Sequence, residues 1–287
     1  MRLAGICLAV LLIAACPPRR ARVVYVQSCP VTCTPVVYAP VVAAPVVPPI
    51  PPTKPTDPKL DACLVAWEKR ATSTNNLRVE IALTRTDAVF KKTATFTGVI
   101  LFMKPNFAVL RLDNAADPTK TDYEAYICDG KTVYFYHGAT KTVTEIKLPA
   151  KWPFQQLATP VFPLELLTGA KVEEMKEQFD ITLFKTDENY IYLDIKPRSE
   201  KDQREFKHLR LALYGPGANN AKFAYLPAQV YVLKPNGDTE AWKFTNPQVD
   251  VPGVTAKDFR YVEVKEKGWA LRKAEPQEAE PIPPAKP

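Results

Sequence analysis

The stretch that most constrains this fold is Gly98-Val-Ile-Leu-Phe-Met-Lys-Pro-Asn-Phe-Ala-Val-Leu-Arg111. It reads as strand, tight corner, strand. Val99 to Met103 is an unbroken apolar run, Pro105-Asn106 supplies turn chemistry, and a second apolar run leads from Phe107 to Arg111. Continuous runs, unlike strict alternation, imply strands with apolar neighbours on both faces. In an antiparallel meander, one face of this pair packs on covering helices or loops and the other looks into an interior.

The same rhythm continues on either side. Leu77, Val79, Ile81 and Leu83 alternate on one face, and Tyr123 to Cys128 leads into Asp129-Gly130, a hairpin signal. Further strands are expected at Thr132–Tyr136, Lys141–Leu148, Phe179–Lys185, Asn189–Lys196, Phe206–Leu213, Gln229–Lys234 and Glu240–Thr245. Leu209, Leu211 and Leu213 share a face opposite His208 and Arg210, and Trp242 and Phe244 share another. Before the strands, Asp61 is placed as the N-cap of a short helix to Thr72, with Leu64, Trp67 and Ala71 at helical spacing. Between residues 152 and 179, Pro153, Pro160 and Pro163 preclude one long helix and permit two short ones, with Gly169 as a stop. Their apolar residues Phe154, Leu157, Phe162, Leu164, Leu166 and Leu167 are expected to lie over the open mouth of the sheet as a lid. The fold class is therefore mainly β: a curved antiparallel sheet or unclosed barrel of about ten or eleven strands with short lid helices.

Both ends of the chain read differently. Arg2 precedes an apolar block, Leu3 to Cys16, too short for the roughly 20 residues of a membrane-spanning helix and suited to a secretory signal. Ile13-Ala-Ala-Cys16 has the form of a lipobox, in which Cys16 becomes the acylated N-terminus; the rival is an ordinary cleaved signal with Cys16 incidental. Residues 17–58 are a proline-rich spacer favouring extended polyproline II, residues 59–272 form the domain, and residues 273–287 are a tail of Glu, Pro and Ala. The chain is thus expected to be exported and held at a membrane facing the periplasm. There Cys29 and Cys33 form a local disulfide or a cross-link between chains, and Cys63 and Cys128 are a pair or two buried thiols.

The formal charge of +7 is dispersed. Arg2, Arg19, Arg20, Arg22 and Lys54 against Asp57 leave +4 before the domain, and Lys273 to Lys286 sum to −1, so the domain itself carries only +4. That argues against nucleic acid as a partner. The two histidines, His137 and His208, sit in no nucleophile or metal motif, so the chain is read as non-enzymatic and without a cofactor. Glu173, Glu174 and Glu177 read as a solvated helix face, and Tyr134, Tyr136, Tyr190 and Tyr192 as ordinary strand composition.

An ordered series of short motifs resembles the LolA/LolB lipoprotein-carrier superfamily, with a planctomycete-associated branch nearest in character. It comprises Lys104-Pro-Asn-Phe107 after Gly98, Asp129-Gly-Lys-Thr-Val-Tyr-Phe-Tyr136, Pro163-Leu-Glu-Leu-Leu-Thr-Gly169, Leu193-Asp-Ile-Lys-Pro197, Phe206-Lys-His-Leu-Arg-Leu211, Pro235-Asn-Gly-Asp238, Phe244-Thr-Asn246 and Lys257-Asp-Phe259. The resemblance covers residues 61 to 270. It implies an unclosed barrel with an apolar concave face that holds lipid or lipoprotein acyl chains, lined by Ile100, Phe102, Lys104, Ala108, Leu110 and Leu112. Carriers place a lid-contacting Arg where this chain has Lys104, which lacks the planar fork for several carbonyls. The partners implied are an acyl chain and a membrane reached through the lipid anchor. An envelope protein is the partner on the alternative reading, a structural or signalling module.

Overall fold

The computed structural model describes residues 57–148, 167, 171–217 and 219–274. Residue 16, most of the spacer, Cys29, Cys33, Phe154, Leu157, Phe162, Leu164, Leu166 and the tail from 275 lie outside the described residues.

Helix α1 spans Pro58–Ser73. It begins four residues before the expected start, because Asp57 and not Asp61 caps it, its carboxylate accepting from Lys59 N, and Pro58 takes the first turn, where its missing N–H costs nothing. Asp61 instead pairs with Lys176 at 2.8 Å. The strands are β1 (Asn76–Thr86), β2 (Thr93–Met103), β3 (Phe107–Asn114), β4 (Tyr123–Asp129), β5 (Thr132–His137) and β6 (Thr142–Lys147). After α2 (Val172–Gln178) come β7 (Phe179–Thr186), β8 (Tyr190–Pro197), the single turn α3 (Glu200–Gln203), β9 (His208–Tyr214), β10 (Pro227–Leu233), β11 (Thr239–Val249) and β12 (Ala270–Ala274).

These twelve strands form one sheet in the order β12-β6-β5-β4-β3-β2-β1-β11-β10-β9-β8-β7. β7 and β12 are not paired with each other, so the sheet is curved but unclosed. All pairs are antiparallel except β12 on β6, whose five residues are all exposed. This parallel strand was not anticipated: an exposed pentapeptide has no alternation for a sequence reading to find.

The opening hairpin behaves as its composition requires. Gly98 stands opposite Leu112, and a Cβ there would lie 1.7 Å from the Arg111 carbonyl oxygen, so only glycine lets the two backbones approach this closely. On one face Ile100, Phe102, Ala108, Leu110 and Leu112 are all at most 2% exposed. On the other, the chain after β11 returns across the sheet through a 3-10 turn, Ala256–Phe259, closed by a Thr255/Asp258 capping box. Fully buried Phe259 packs 5.5 Å from Phe107, Tyr261 lies 4.6 Å from Tyr134, and Trp269 lies 6.1 Å from Tyr123. Tyr136 Oη donates to Val262 O and accepts from Val262 N. The apolar runs thus have neighbours on both sides, with a C-terminal strap supplying the outer one.

The inner core joins α1 to the sheet. Leu60, Cys63, Leu64 and Trp67 of α1 belong to one cluster with Leu77, Val79, Ile81, Leu83, Leu193, Leu209, Leu211, Val230, Trp242 and Phe244. Each large side chain so buried contributes roughly 1.5–3 kcal/mol. Leu167, the one described member of the expected lid, is 3% exposed in the same cluster.

Candidate functional site: the concave face

Register fixes which side chains look inward. Leu77, Val79, Ile81 and Leu83 stand opposite Phe102, Ile100, Gly98 and Phe96, and β3 places Ala108, Leu110 and Leu112 beside Phe102, Ile100 and Gly98. The five apolar residues expected to line the concavity therefore share its inner face. That face is not empty: α1 covers it and shares its core. The sequence shows α1 as amphipathic, but an apolar stripe does not say which sheet it will cover.

Lys104 closes one end of this arrangement. Its Nζ donates to the carbonyl oxygens of Ala71 at 3.0 Å and Thr72 at 2.5 Å. These are carbonyls of the last turn of α1, at the negative end of the helix dipole, and Ala71 O otherwise accepts only a long bond from the cap residue Thr74 N at 3.4 Å, so an ammonium is well matched to them. Burial pulls the Lys104 pKa below the usual lysine range, with Asp250 opposing the shift. These carbonyls belong to α1 and not to the expected lid, five of whose six named residues lie outside the described residues. Arg70 Nη2 donates to Lys222 O at 2.7 Å, and Val172 N to Glu68 Oε2 at 3.4 Å, adding further tethers to α1.

The opposite end of the inner face is polar. Arg85 reaches past β2 and β3 to make a two-pronged pair with Glu124 on β4, at 2.7 and 2.9 Å. Its Nε lies 3.5 Å from Glu240, which also receives Lys234 Nζ and Trp242 Nε1. Burial works against the Arg85 charge, but the hydrogen bond and charge of Glu124 overcome it and raise the pKa. The apolar inner face is therefore bounded by an ion network at one end and by Lys104 and the end of α1 at the other.

Two recesses border α1. One, of about 410 Å³, lies along its outer face at Val65, Glu68, Lys69, Thr72 and Ser73. The other, of about 240 Å³, lies between its first turns and β7–β8, lined by Lys59, Ala62, Cys63, Leu183, Thr186, Ile191 and Tyr225. The second is smaller than the roughly 300–1,000 Å³ of sites that engulf a drug-sized ligand. Neither is lined by Ile100, Phe102, Lys104, Ala108, Leu110 or Leu112.

The remaining polar candidates are engaged elsewhere. Cys63 and Cys128 are separate buried thiols, each pushed up to about 11 by burial. His208 Nε2 lies 3.2 Å from Asp194, which also takes Arg210 at 2.7 Å, on the outer face. Among the described residues no three His, Cys, Asp or Glu side chains gather as a metal site. No described helix is long and apolar enough to cross a membrane. Glu173 and Glu177 are exposed on α2, as a solvated face requires. Helical spacing puts Trp67 on the apolar face of α1 but does not show that its indole Nε1, in a side chain 3% exposed, lacks a hydrogen-bond partner among the described residues.

No protein-family model and no curated protein matches the sequence. Among solved structures, the chain is similar to a DUF1329 family protein from Desulfovibrio piger ATCC 29098, at 13% identity and a TM-score of 0.38, covering 72% of this chain and 98% of that one. It is similar to the LolA superfamily protein NE2245 from Nitrosomonas europaea, at 7% identity and a TM-score of 0.35, covering 70% and 97%. It is also similar to LprF from Mycobacterium bovis, at 13% identity and a TM-score of 0.36, covering 70% and 96%.

Proposed function

We propose that this domain is a non-enzymatic envelope module that takes up lipid or lipoprotein acyl chains on its concave face. The spacer of residues 17–56 would carry it clear of a membrane to which an acylated Cys16 ties it. The observation that carries the reading is a continuous apolar inner face, running in sheet order from β5 to β8, covered by the amphipathic helix α1 whose end is held by Lys104. Acyl chains would replace the side chains of α1 against that face, gaining about 25 cal/mol per Å² of apolar surface buried. The unpartnered Trp67 Nε1 supports this, because a buried donor without an acceptor is costly and an ester or amide carbonyl would satisfy it. The recess at Cys63, Leu183 and Ile191 offers a starting point for entry beneath α1.

Mass spectrometry of the native full-length protein tests the proposal: co-purified lipid is expected, and none bound after incubation with phospholipid or an acylated peptide overturns it. Labelled palmitate should mark the wild type and not Cys16→Ser; equal labelling removes the anchor but not the uptake.

A second reading is favoured by one observation, the filling of the inner face, where Ile100, Leu110 and Leu112 are fully buried. On that reading the same scaffold is a structural or signalling module whose partner is an envelope protein. It predicts a protein cross-link and no bound lipid.

A further inference from the structure

The hairpin joining β1 to β2 ends in two adjacent large apolar side chains that stand exposed. Val89 is 76% and Phe90 71% exposed, and Lys91 and Lys92 beside them are also exposed. The other hairpin tips at this end of the sheet, residues 115–121, 138–141 and 234–238, are built from Ala, Asp, Pro, Thr, Lys, Gly and Asn. Among these hairpin tips the apolar one is therefore Val89–Phe90; in the β8–β9 connection at the same end, Phe206 is turned against the core.

The loop is also held in shape. Asp87 N donates to Lys92 O at 2.9 Å, and the Asp87 carboxylate accepts from Val89 N and Phe90 N at 2.9 and 2.7 Å. Asp238 of the neighbouring hairpin accepts from Ala88 N at 2.9 Å. Four hydrogen bonds thus point Val89 and Phe90 outward when a looser loop could fold them back. Lys92 Nζ stands 6.0 Å from the centre of the Phe90 ring, so charge and apolar surface occupy one small tip.

We infer that the Val89–Phe90 tip is a membrane-contact point that seats in the headgroup region of a bilayer carrying anionic lipid. An aromatic ring with flanking lysines suits that boundary: the ring enters the apolar edge while the ammonium groups stay with the phosphates. A protein pocket could take Val89 and Phe90, but the two adjacent cations favour an anionic surface. The contact stands independently of acyl uptake. β1 separates this tip from the Lys104 end by eleven residues, about 35 Å of strand. A domain seated on the tip would hold the end of α1 away from that bilayer.

Flotation with vesicles of equal parts phosphatidylcholine and phosphatidylglycerol tests this, using the full chain with Cys16→Ser so that no acyl anchor contributes. Phe90→Trp is expected to add emission that brominated acyl chains quench. Val89→Ser with Phe90→Ser should weaken binding at least about tenfold with unchanged melting, and Lys91→Ser with Lys92→Ser should weaken it on these vesicles but not on pure phosphatidylcholine. The inference is overturned if the parent does not float, if the Trp at 90 is unquenched, or if the Val89/Phe90 variant floats like its parent. Loss of a protein cross-link with unchanged flotation overturns it in favour of a protein partner.

Discussion

Lys104 Nζ lies 3.0 Å from the carbonyl oxygen of Ala71, so a corner of the β2–β3 hairpin grips the last turn of the helix that covers the inner face. Lys104→Ala should loosen α1 locally and cost roughly 1 kcal/mol, the small value reflecting a lysine still partly in water. Lys104→Arg should keep the grip. Denaturant midpoints report the first effect, and hydrogen exchange over residues 66–74 reports where it falls.

Gly98→Ala places a methyl group against the Arg111 backbone rather than a movable side chain. The β2–β3 pair must spread, and a loss of roughly 3 kcal/mol is expected in chemical denaturation. A fall below 1 kcal/mol would mean that the strands approach less closely in solution.

Trp67 separates packing from polarity. Trp67→Ala should cost about 3–5 kcal/mol through the cavity it leaves. Trp67→Phe, which removes the orphan N–H, should cost much less in the empty protein and weaken binding of an ester or amide lipid. Equal binding by the two proteins would remove Trp67 from the ligand's surroundings.

How far the sequence was legible follows from the range of the signals involved. Leu77, Val79, Ile81 and Leu83 alternate within one strand, and Asp129-Gly130 and Pro235-Asn-Gly-Asp238 mark turns locally, so these elements and their inward faces could be read directly. Gly130 and Gly237 do adopt the positive φ such turns need. The pairing of β1 with β11, the parallel seat of β12 on β6 and the burial of α1 against the inner face depend on residues far apart in the chain. The start of α1 was hidden because Asp57-Pro58 reads as the end of the proline-rich spacer when it is in fact a cap and a first turn.

Asp194 carries a pH-dependent part of the stability. The hydrogen bond from Arg210, opposed by burial and aided by the Arg210 charge, holds its carboxyl below the usual range. A carboxylate with a depressed folded pKa stabilises fully above its unfolded value, near 3.9, and loses that contribution as pH falls through the lower folded value. Asp194→Asn should thus be about 1 kcal/mol less stable near neutrality, the gap closing as pH drops below about 4. A gap unchanged at pH 3 and pH 7 would show that the charge is not its origin.

Tyr136 is the outer-face counterpart of Lys104. Burial pushes its hydroxyl up to about 12, so at neutral pH it stays protonated and able both to donate and to accept. Tyr136→Phe removes both hydrogen bonds to Val262 and should cost about 1 kcal/mol, felt as faster exchange over residues 260–274. Residues 76–86 should keep their protection; faster exchange there would show that the strap and the central strands unfold together.

The strand order also sets a timetable for assembly. β1 to β6 form a run of neighbours in sequence, and β7 to β11 form another, each able to zip up hairpin by hairpin as the chain emerges. In the sheet the two halves are joined by the β1–β11 ladder, from Leu77 opposite Val249 to Thr86 opposite Thr239, a seam that cannot exist until β11 has been made. Until then the edge of β1 is bare and half of the apolar surface is without its other wall. Refolding should therefore be limited by the closing of that seam, and a chain stopped before residue 239 should remain sticky and open to proteases however well its first six strands have paired.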